Sequence, residues 1–325
     1  MMDAFGRSVT YLRLSVTDRC DLRCAYCMDE TPDFLPKTEV LTLEELERLA
    51  GVFIRLGVRR VRLTGGEPLA RRNVVSLVHG LGRHVAEESL DEVTLTTNGT
   101  QLARHAESLA AAGVRRVNVS LDSLDPERFR QLTRRDSHQR VLDGLDAARR
   151  AGLAVKVNTV VLKGGNDHEI PELVGWCGER GFDLTLIEAM PMGEGATEGV
   201  SGDGYVPLSD VRRRLAEHWT LVDTPERTGG PARYTRVAET GRRLGFITPM
   251  SEHFCAGCNR VRVTCTGQLY LCLGRDNHVD LRAPLREHAD DAALEQKIRD
   301  AMGLRPRGHR FNEAAAGRAM RVTGG

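Results

Sequence analysis

The chain has 325 residues, of which 41% are hydrophobic, so it can bury a full core in one large domain or two medium ones. Its 46 basic and 45 acidic residues nearly cancel, which argues against nucleic acid or a membrane as the main partner. No segment approaches the roughly 20 apolar residues of a membrane span, and residues 1–10 lack the apolar region of a secretory signal, so we expect a cytoplasmic protein.

Short β-branched runs alternate with segments of helical periodicity from Tyr11 to about residue 190. Six strands are predicted, at residues 11–16, 58–64, 92–97, 114–121, 153–161 and 183–189. This alternation predicts an α/β fold with a parallel sheet. Six units rather than eight indicate a partial (β/α)6, TIM-like barrel with its chemistry at the carboxyl ends of the strands. We assign this barrel to residues 1–225, and assign residues 226–325 to a C-terminal module that closes its open side.

Three cysteines follow the first predicted strand in the pattern Cys-x3-Cys-x2-Cys, at Cys20, Cys24 and Cys27. Three thiolates can hold three irons of a 4Fe-4S cluster and leave the fourth iron free to bind a reactive ligand. In a reducing compartment, clustered cysteines are more often metal ligands than disulfide partners. The spacing therefore predicts a 4Fe-4S cluster with an open iron.

The predicted strands each have an apolar face and a polar one. Residues two apart share a face of a strand, so Leu12 and Leu14 point one way and Arg13 the other. The same phase sends four further polar side chains into the lumen: Arg62, Thr96, Ser120 and Lys156. Barrels of this type usually fill the lumen with aliphatic residues, and several charges cannot be buried without an anionic partner. We infer a polyanionic small ligand inside the barrel; the alternative is half-exposed strands whose arginines face water.

A second group of four cysteines lies in the C-terminal module: Cys255, Cys258, Cys265 and Cys272. All four could form a structural zinc site. Alternatively, three of them, without Cys265, could hold a second 4Fe-4S cluster with an open iron, and spacing alone leaves both possibilities open. Arg260 and Arg262 alternate with valines between these thiols, and their planar guanidinium groups suit phosphate oxygens. This hairpin is predicted to form the far wall of the same anion site.

The first cysteine triplet, with Tyr26 before its last member and the run Thr64-Gly65-Gly66-Glu67-Pro68 after the second strand, resembles the radical S-adenosylmethionine enzymes. Further runs extend the resemblance over nearly the whole chain to the GTP 3',8-cyclases of molybdenum cofactor biosynthesis: SVTDRCDLRC, RLTGGEP, TTNGT, NVSLDSL, KVNTV, AMPMGEG, CNRVRVT and the terminal Gly324-Gly325. The resemblance implies a lyase that converts GTP to 3',8-cyclo-7,8-dihydro-GTP. Its implied cofactors are two 4Fe-4S clusters and S-adenosylmethionine, with the guanine base on the second cluster.

The resemblance also implies roles for individual residues. Four positions match contacts to S-adenosylmethionine: Tyr26, Gly66, Ser120 and Met190. Six match contacts to GTP: Arg13, Arg62, Thr96, Lys156, Arg260 and Arg262. The resemblance places Gly324 and Gly325 inside the active site, where they are expected to position the nucleotide. Most of the GTP set coincides with the side chains that strand phase turns inward.

Two positions depart from the family pattern. An arginine is common five residues before the Met-Pro step, where this chain has Thr185, so one phosphate contact is expected to be absent or supplied by Arg60. Cys265 stands where family members usually have another residue. Cys177, alone in a predicted helix, is expected to be a small core residue.

The resemblance implies partners as well as cofactors. They are a small electron donor such as flavodoxin or ferredoxin, and a downstream cyclic pyranopterin monophosphate synthase, with a homodimer allowed. Two other classes stay open: a radical enzyme that modifies a peptide, which typically has more cysteines, and a zinc-bound nucleotide- or RNA-binding protein. The near-zero net charge and the 5% content of aromatic residues argue against extended RNA binding.

Overall fold

One mixed sheet runs through the computed structural model, which describes residues 1–192, 204–311 and 319–324. The strands in these ranges are β1 (Tyr11–Ser15), β2 (Arg60–Thr64), β3 (Glu92–Thr97), β4 (Arg116–Ser120), β5 (Ala154–Val161), β6 (Asp183–Glu188), β7 (Leu221–Asp223), β8 (Arg233–Val237), β9 (Arg243–Ile247), β10 (Arg260–Val263), β11 (Gln268–Tyr270) and β12 (His278–Asp280). Their order across the sheet is β12-β11-β10-β1-β2-β3-β4-β5-β6-β9-β8-β7. Because β12 and β7 lie at opposite edges, the described strands form an open, partial barrel.

The six strands β1 to β6 are parallel neighbours in chain order. Their bounds differ from the predicted ones by no more than two residues at either end, so the predicted α/β partial barrel is confirmed. The C-terminal half adds strands at both edges, since β10 pairs in parallel with β1 and β9 pairs in parallel with β6. The division of the chain at residue 225 stays a prediction.

Helices connect the strands and cover the outer face of the sheet. They are α1 (Leu43–Arg55), α2 (Val74–Ala86), α3 (Leu102–Ala111), α4 (Pro126–Thr133), α5 (His138–Arg150), α6 (Ile170–Glu179), α7 (Leu208–Leu215), α8 (Arg282–Glu287), α9 (Ala292–Gly303) and α10 (Met320–Thr323). Within the described ranges, no helix is both long and apolar enough to cross a bilayer. The helix α1 begins at a capping box in which the Thr42 hydroxyl accepts from the Glu45 amide and the Glu45 carboxylate accepts from the Thr42 amide.

The main core lies between the outer face of the sheet and these helices. It holds the apolar residues of the strands, including Leu12, Leu14, Val61 and Leu63, together with Cys177. Side chains of the opposite phase face the lumen, so the strand-phase prediction holds and the lumen is polar.

The turn after β2 approaches the loop that leads to the first cysteine triplet very closely. Gly66 donates its amide to the Thr17 carbonyl at 2.8 Å, and Glu67 donates to the Arg19 carbonyl at 2.8 Å. A Cβ atom on Gly66 would lie 2.3 Å from the Arg19 carbonyl oxygen. Only glycine allows this contact without moving backbone.

We therefore expect Gly66→Ala to destabilise the fold by about 1–3 kcal/mol, the usual cost of overpacking. Gly230→Ala is the matched control, because a Cβ atom there meets nothing within 4 Å. Thermal unfolding of the two variants beside the parent measures the difference. Equal midpoints for all three proteins would show that the loop moves away at no cost.

Candidate active site

The first cysteine triplet lines a pocket at the carboxyl ends of the parallel strands. The pocket walls include Cys20, Cys24 and Cys27, and also the four residues matched to S-adenosylmethionine: Tyr26, Gly66, Ser120 and Met190. Burial raises the pKa of Cys20 to about 12, with the charge of Glu67 adding to the effect. Burial likewise raises the pKa of Cys27 to about 11. Thiols in such a place ionise only beside positive charge, which an iron–sulfur cluster provides, so the donor set fits a cluster.

Two polar residues in the walls of this pocket, Asn98 and Asp122, were not predicted as site residues. Tyr26 donates its hydroxyl to Asp122 Oδ2 at 2.6 Å, while Asp122 Oδ1 accepts from the Val160 amide. Asn98 Nδ2 donates to Asp21 Oδ1 at 2.7 Å and lies 3.7 Å from Cys20 Sγ. Asn98 and Asp122 both follow the carboxyl end of a strand, which is the signal that could have identified them.

Glu67 holds the ends of two strands together beneath the pocket. Its carboxylate accepts from the Leu69 amide, the Thr97 hydroxyl and the Asn98 amide at 2.9, 2.8 and 2.6 Å. Burial raises the pKa of Glu67 to about 7. These contacts fix the loop after β2 to the end of β3, and so position two walls of the pocket.

A second pocket holds most of the predicted anion-binding side chains. Its walls include Arg13, Arg62, Arg260 and Arg262, together with Cys255, Cys258 and Cys272. Strand register explains the arrangement, because Arg13 on β1 pairs with Arg62 on β2 and with Arg262 on β10. Three guanidinium groups therefore lie side by side across three adjacent parallel strands. The row Arg62-Arg13-Arg262 is called the arginine row below.

The arginine row places like charges side by side, and two of its members have open donors. Burial lowers the pKa of Arg13 well below its usual value, and the charges of Arg262 and Arg62 lower it further. Arg13 Nε and Nη2 and Arg62 Nε are buried and have no hydrogen-bond partner among the described residues. Buried like charges with open donors require an anion, so the pocket fits a polyphosphate.

The other two residues matched to GTP lie elsewhere. Thr96 lines the first pocket, and its buried hydroxyl has no partner in the described part of the chain. Lys156 is in the walls of neither pocket; it lies deeper in the lumen, where Nζ donates to the Tyr234 hydroxyl at 3.0 Å. The structure thus brings four of the six predicted GTP residues together around the cysteines of the second group.

The two pockets adjoin. Asn158, Ile187 and Met190 belong to the walls of both. Asn158 was not predicted as a site residue, although it lies two positions after Lys156 and so shares its face of β5. A ligand on the first cysteine triplet and a ligand on the arginine row would meet at this common wall.

Cys265 lies apart from the other three cysteines of its group. It is buried and does not line the second pocket; burial raises its pKa to about 12, followed by the charge of Asp18. Within the described ranges, no three His, Cys, Asp or Glu side chains are grouped compactly enough to bind one metal ion. A 4Fe-4S cluster puts its thiolates on separate irons and needs no such grouping. The arrangement thus gives no support to a four-cysteine zinc site, and a second cluster on Cys255, Cys258 and Cys272 stays a prediction.

Nearby positive charges and hydrogen-bond donors favour the thiolate form of Cys258 in the second group of cysteines. Burial raises the pKa of Cys258, but Arg260, backbone donors and Arg305 outweigh burial and bring the pKa below its usual value. Arg260 Nη2 lies 3.8 Å from Cys258 Sγ. A residue matched to GTP therefore also contacts a cysteine that is predicted to hold the second cluster.

The departure at Thr185 leaves an open polar atom in the lumen. Thr185 is fully buried between Asn158 and Gly245 in the sheet, and its hydroxyl has no partner among the described residues. Arg60 lines neither pocket and lies 3.8 Å from the carboxylate of Asp91. The structure gives no support to Arg60 as the substitute phosphate ligand.

The C-terminal tail enters between the two pockets. The Gly324 carbonyl accepts from Arg262 Nη1, and the Thr323 carbonyl accepts from the same atom at 3.3 Å. Gly324 has a φ of +73°, and a Cβ atom there would lie 2.1 Å from Thr64 Oγ1. Only glycine fits at this position without strain, because of both its backbone angle and this close contact. Gly325 lies outside the described residues.

Comparisons with known proteins agree with this geometry. Residues 14–177 match the model of the radical SAM superfamily, and residues 182–311 match that of Molybdenum Cofactor Synthesis C. The curated GTP 3',8-cyclases of Brucella canis and Rhizobium meliloti are 58% and 59% identical over all of this chain, covering 96% and 94% of their own lengths.

Solved structures show a related fold at low identity. The structure of Streptococcus suis SuiB bound to S-adenosylmethionine has a TM-score of 0.59 at 19% identity, covering 90% of this chain and 68% of that one. SuiB bound to its precursor peptide SuiA has a TM-score of 0.62 at 18% identity, covering 91% and 64%. Since its relatives align along its whole length and one family model spans half of it, the chain belongs to the GTP 3',8-cyclase family of radical S-adenosylmethionine enzymes.

Proposed function

We propose that this chain binds GTP on the arginine row and converts it to 3',8-cyclo-7,8-dihydro-GTP, the first step of molybdenum cofactor biosynthesis. The observation that carries the proposal is the arginine row itself. Buried guanidinium groups with open donors adjoin a pocket lined by a cysteine triplet. A triphosphate would supply negatively charged acceptors for the open donors of Arg13 and Arg62.

The residues of the first pocket hold and orient the radical source. Cys20, Cys24 and Cys27 would bind one 4Fe-4S cluster, and Tyr26, Gly66, Ser120 and Met190 would contact S-adenosylmethionine. When bound, this pair supplies the 5'-deoxyadenosyl radical that removes a hydrogen atom from the substrate. The enclosing walls exclude water from it.

The residues of the second pocket position the substrate. Cys255, Cys258 and Cys272 would hold the second cluster against the guanine base. The GTP contacts are assigned to Arg13, Arg62, Thr96, Lys156, Arg260 and Arg262. Lys156 lines neither pocket and Thr96 lines the first one, so these two would contact GTP only if it reaches beyond the second pocket. Positioning matters most in this role, since a shift of about 1 Å can cost roughly a hundredfold in rate.

The proposal extends to partners and location. No disulfide joins any two of the eight cysteines, all of which lie in the described ranges, and this suits a reducing cytoplasm. We propose a small donor such as flavodoxin or ferredoxin as the source of electrons, and a cyclic pyranopterin monophosphate synthase as the consumer of the product. A homodimer is part of the same proposal.

Anaerobic incubation of the reconstituted protein with GTP, S-adenosylmethionine and a chemical reductant tests the function, and should give cyclised GTP and 5'-deoxyadenosine. Arg13→Met should weaken GTP binding by about 10- to 100-fold, the value of hydrogen bonds to a charged group. Without GTP the same variant should unfold at a higher temperature than the parent, because a buried like charge has been removed.

Arg60→Met is the matched control for this pair of measurements. Arg60 lies on β2, two residues before Arg62 and on the same face of the strand, yet it lines neither pocket. Its GTP affinity should equal that of the parent. Unchanged affinity in Arg13→Met, or absence of cyclised product from the parent, would contradict the proposed substrate site.

The cysteine assignment gives a separate prediction. Cys265→Ala should keep about eight irons per chain and most of the activity, because this thiol lies outside the second pocket. Cys272→Ala should fall to about four irons, since only the first cluster keeps its three ligands. Iron and acid-labile sulfide assays on anaerobically reconstituted protein decide the matter. Loss of iron from Cys265→Ala would mean that this thiol is a ligand after all.

The tail gives a prediction about coupling between the two pockets. Deleting Gly324 and Gly325 should leave GTP affinity and both clusters nearly intact while strongly lowering cyclised product, as expected for residues that position rather than bind. 5'-Deoxyadenosine should still form. Gly324→Ala should act in the same direction, because its methyl group would collide with Thr64. If the shortened chain gave as much cyclised product as the parent, Gly324 and Gly325 would have no role in positioning.

A further inference from the structure

We propose that Asp3, Arg7 and Arg305 are positioning residues that hold the Cys255–Cys258 turn in the geometry its cluster requires. These three residues are called the N-terminal clamp. The proposal rests on the proposed function only in that the second cysteine group is taken as a cluster site. It deepens that function by assigning the first residues of the chain to the support of the site.

Asp3 is the centre of the clamp. Its side chain is fully shielded from solvent, and its Oδ2 accepts from Arg7 Nε at 2.6 Å and from Arg305 Nη1 at 2.8 Å. Its Oδ1 accepts from the backbone amides of Phe5 and Arg7, both at 2.9 Å. Four donors on one buried carboxylate leave it little freedom to turn.

The two arginines bound to Asp3 also donate to backbone carbonyls of the Cys255–Cys258 turn. Arg7 Nη1 donates to the Cys255 carbonyl at 2.9 Å, and Arg305 Nη2 donates to the Cys258 carbonyl at 2.7 Å and to the Arg260 carbonyl at 3.1 Å. Both members of the Cys-x2-Cys pair, and the next arginine of the anion site, are thus held through their backbones. Each arginine has a fixed fork, so it fixes the spacing of the groups it binds.

Arg7 also binds the backbone of residues 306–307, which lie beside the second pocket. Its guanidinium donates to the Arg307 carbonyl at 2.9 Å and to the Pro306 carbonyl at 2.6 Å. Arg7 and Arg305 both belong to the walls of the second pocket. The clamp therefore lies directly behind Cys255 and Cys258, where outer partners of metal ligands are found.

Charge adds a second reason for a role beyond packing. One carboxylate faces two arginines, so the clamp keeps a net positive charge next to thiols that bind metal only as thiolates. Asp3 and Arg305 stand near opposite ends of the chain, and the contact between them brings both ends to one site. If this region served only packing, apolar side chains could be buried here with a smaller loss of solvation free energy than these charged ones.

The test isolates the second cluster in the full-length chain by replacing Cys20, Cys24 and Cys27 with alanine. After anaerobic reconstitution, iron release to a chelator is followed without GTP. Asp3→Asn should release iron about 10- to 100-fold faster, the usual effect of losing an outer partner of metal ligands. Asp183→Asn is the control, because it breaks another Asp–Arg pair, with Arg243 at 2.5 Å, and should release iron at the parental rate.

Arg7→Lys separates geometry from charge. It keeps the positive charge but loses the fork that spans Asp3, Cys255 and the 306–307 segment, so it too should release iron faster. The electron paramagnetic resonance spectrum of the cluster it retains should differ from that of the parent. Its far-ultraviolet circular dichroism spectrum should match that of the parent, which shows that the barrel is folded.

Parental iron release and an unchanged spectrum in both clamp variants would overturn the proposal. If Asp3→Asn yields no folded protein, Arg7→Lys decides alone. Faster release from Asp183→Asn as well would also overturn it, because the effect would then be general loosening. Since iron release is measured without GTP, failure of the clamp and failure of the proposed cyclase activity remain separate results.

Discussion

The rest of the active site depends on three guanidinium groups placed side by side across β2, β1 and β10. Parallel pairing fixes Arg62, Arg13 and Arg262 as direct neighbours, and a one-residue slip in any strand would send its arginine to the apolar outer face. Buried like charges repel, so the arrangement persists only where other groups offset the repulsion. The carbonyls of the tail do this for Arg262. The open donors of Arg13 and Arg62 define what the pocket accepts, which is a compact ligand with several negative charges.

The opposite electrostatic character of the neighbouring pocket follows from the same sheet. Cysteine thiols, Glu67 and Asp122 gather at the carboxyl ends of the strands, and the buried acids have raised pKa values. One pocket is thus prepared for a positively charged metal group and the other for a polyanion. Asn158, Ile187 and Met190 form the boundary between the two pockets. Two ligands of opposite charge preference can therefore bind in separate pockets and still lie next to each other.

Strand periodicity and cysteine spacing predicted much of this site because both are local properties. Alternation within Leu12-Arg13-Leu14 is enough to send Arg13 inward, and the same rule applied one step further would have included Asn158. No local pattern reports the Asp3–Arg305 contact, since its two residues lie 302 positions apart and neither belongs to a periodic segment. Spacing left the role of Cys265 open for a related reason, because it could not reveal that this thiol is buried outside the pocket that Cys255, Cys258 and Cys272 line.

The pairing of β1 with β10 also bears on how the protein is made. Residues 11–14 leave the ribosome long before residues 260–263, with which they pair, and such distant contacts form slowly. The six consecutive parallel strands can assemble while the rest of the chain is still being synthesised. During that interval the cysteine triplet of the first pocket has been made, but Arg260, Arg262 and the second group of cysteines have not. The second pocket, whose walls need β10 and the second group of cysteines, is therefore the last part of the site to form.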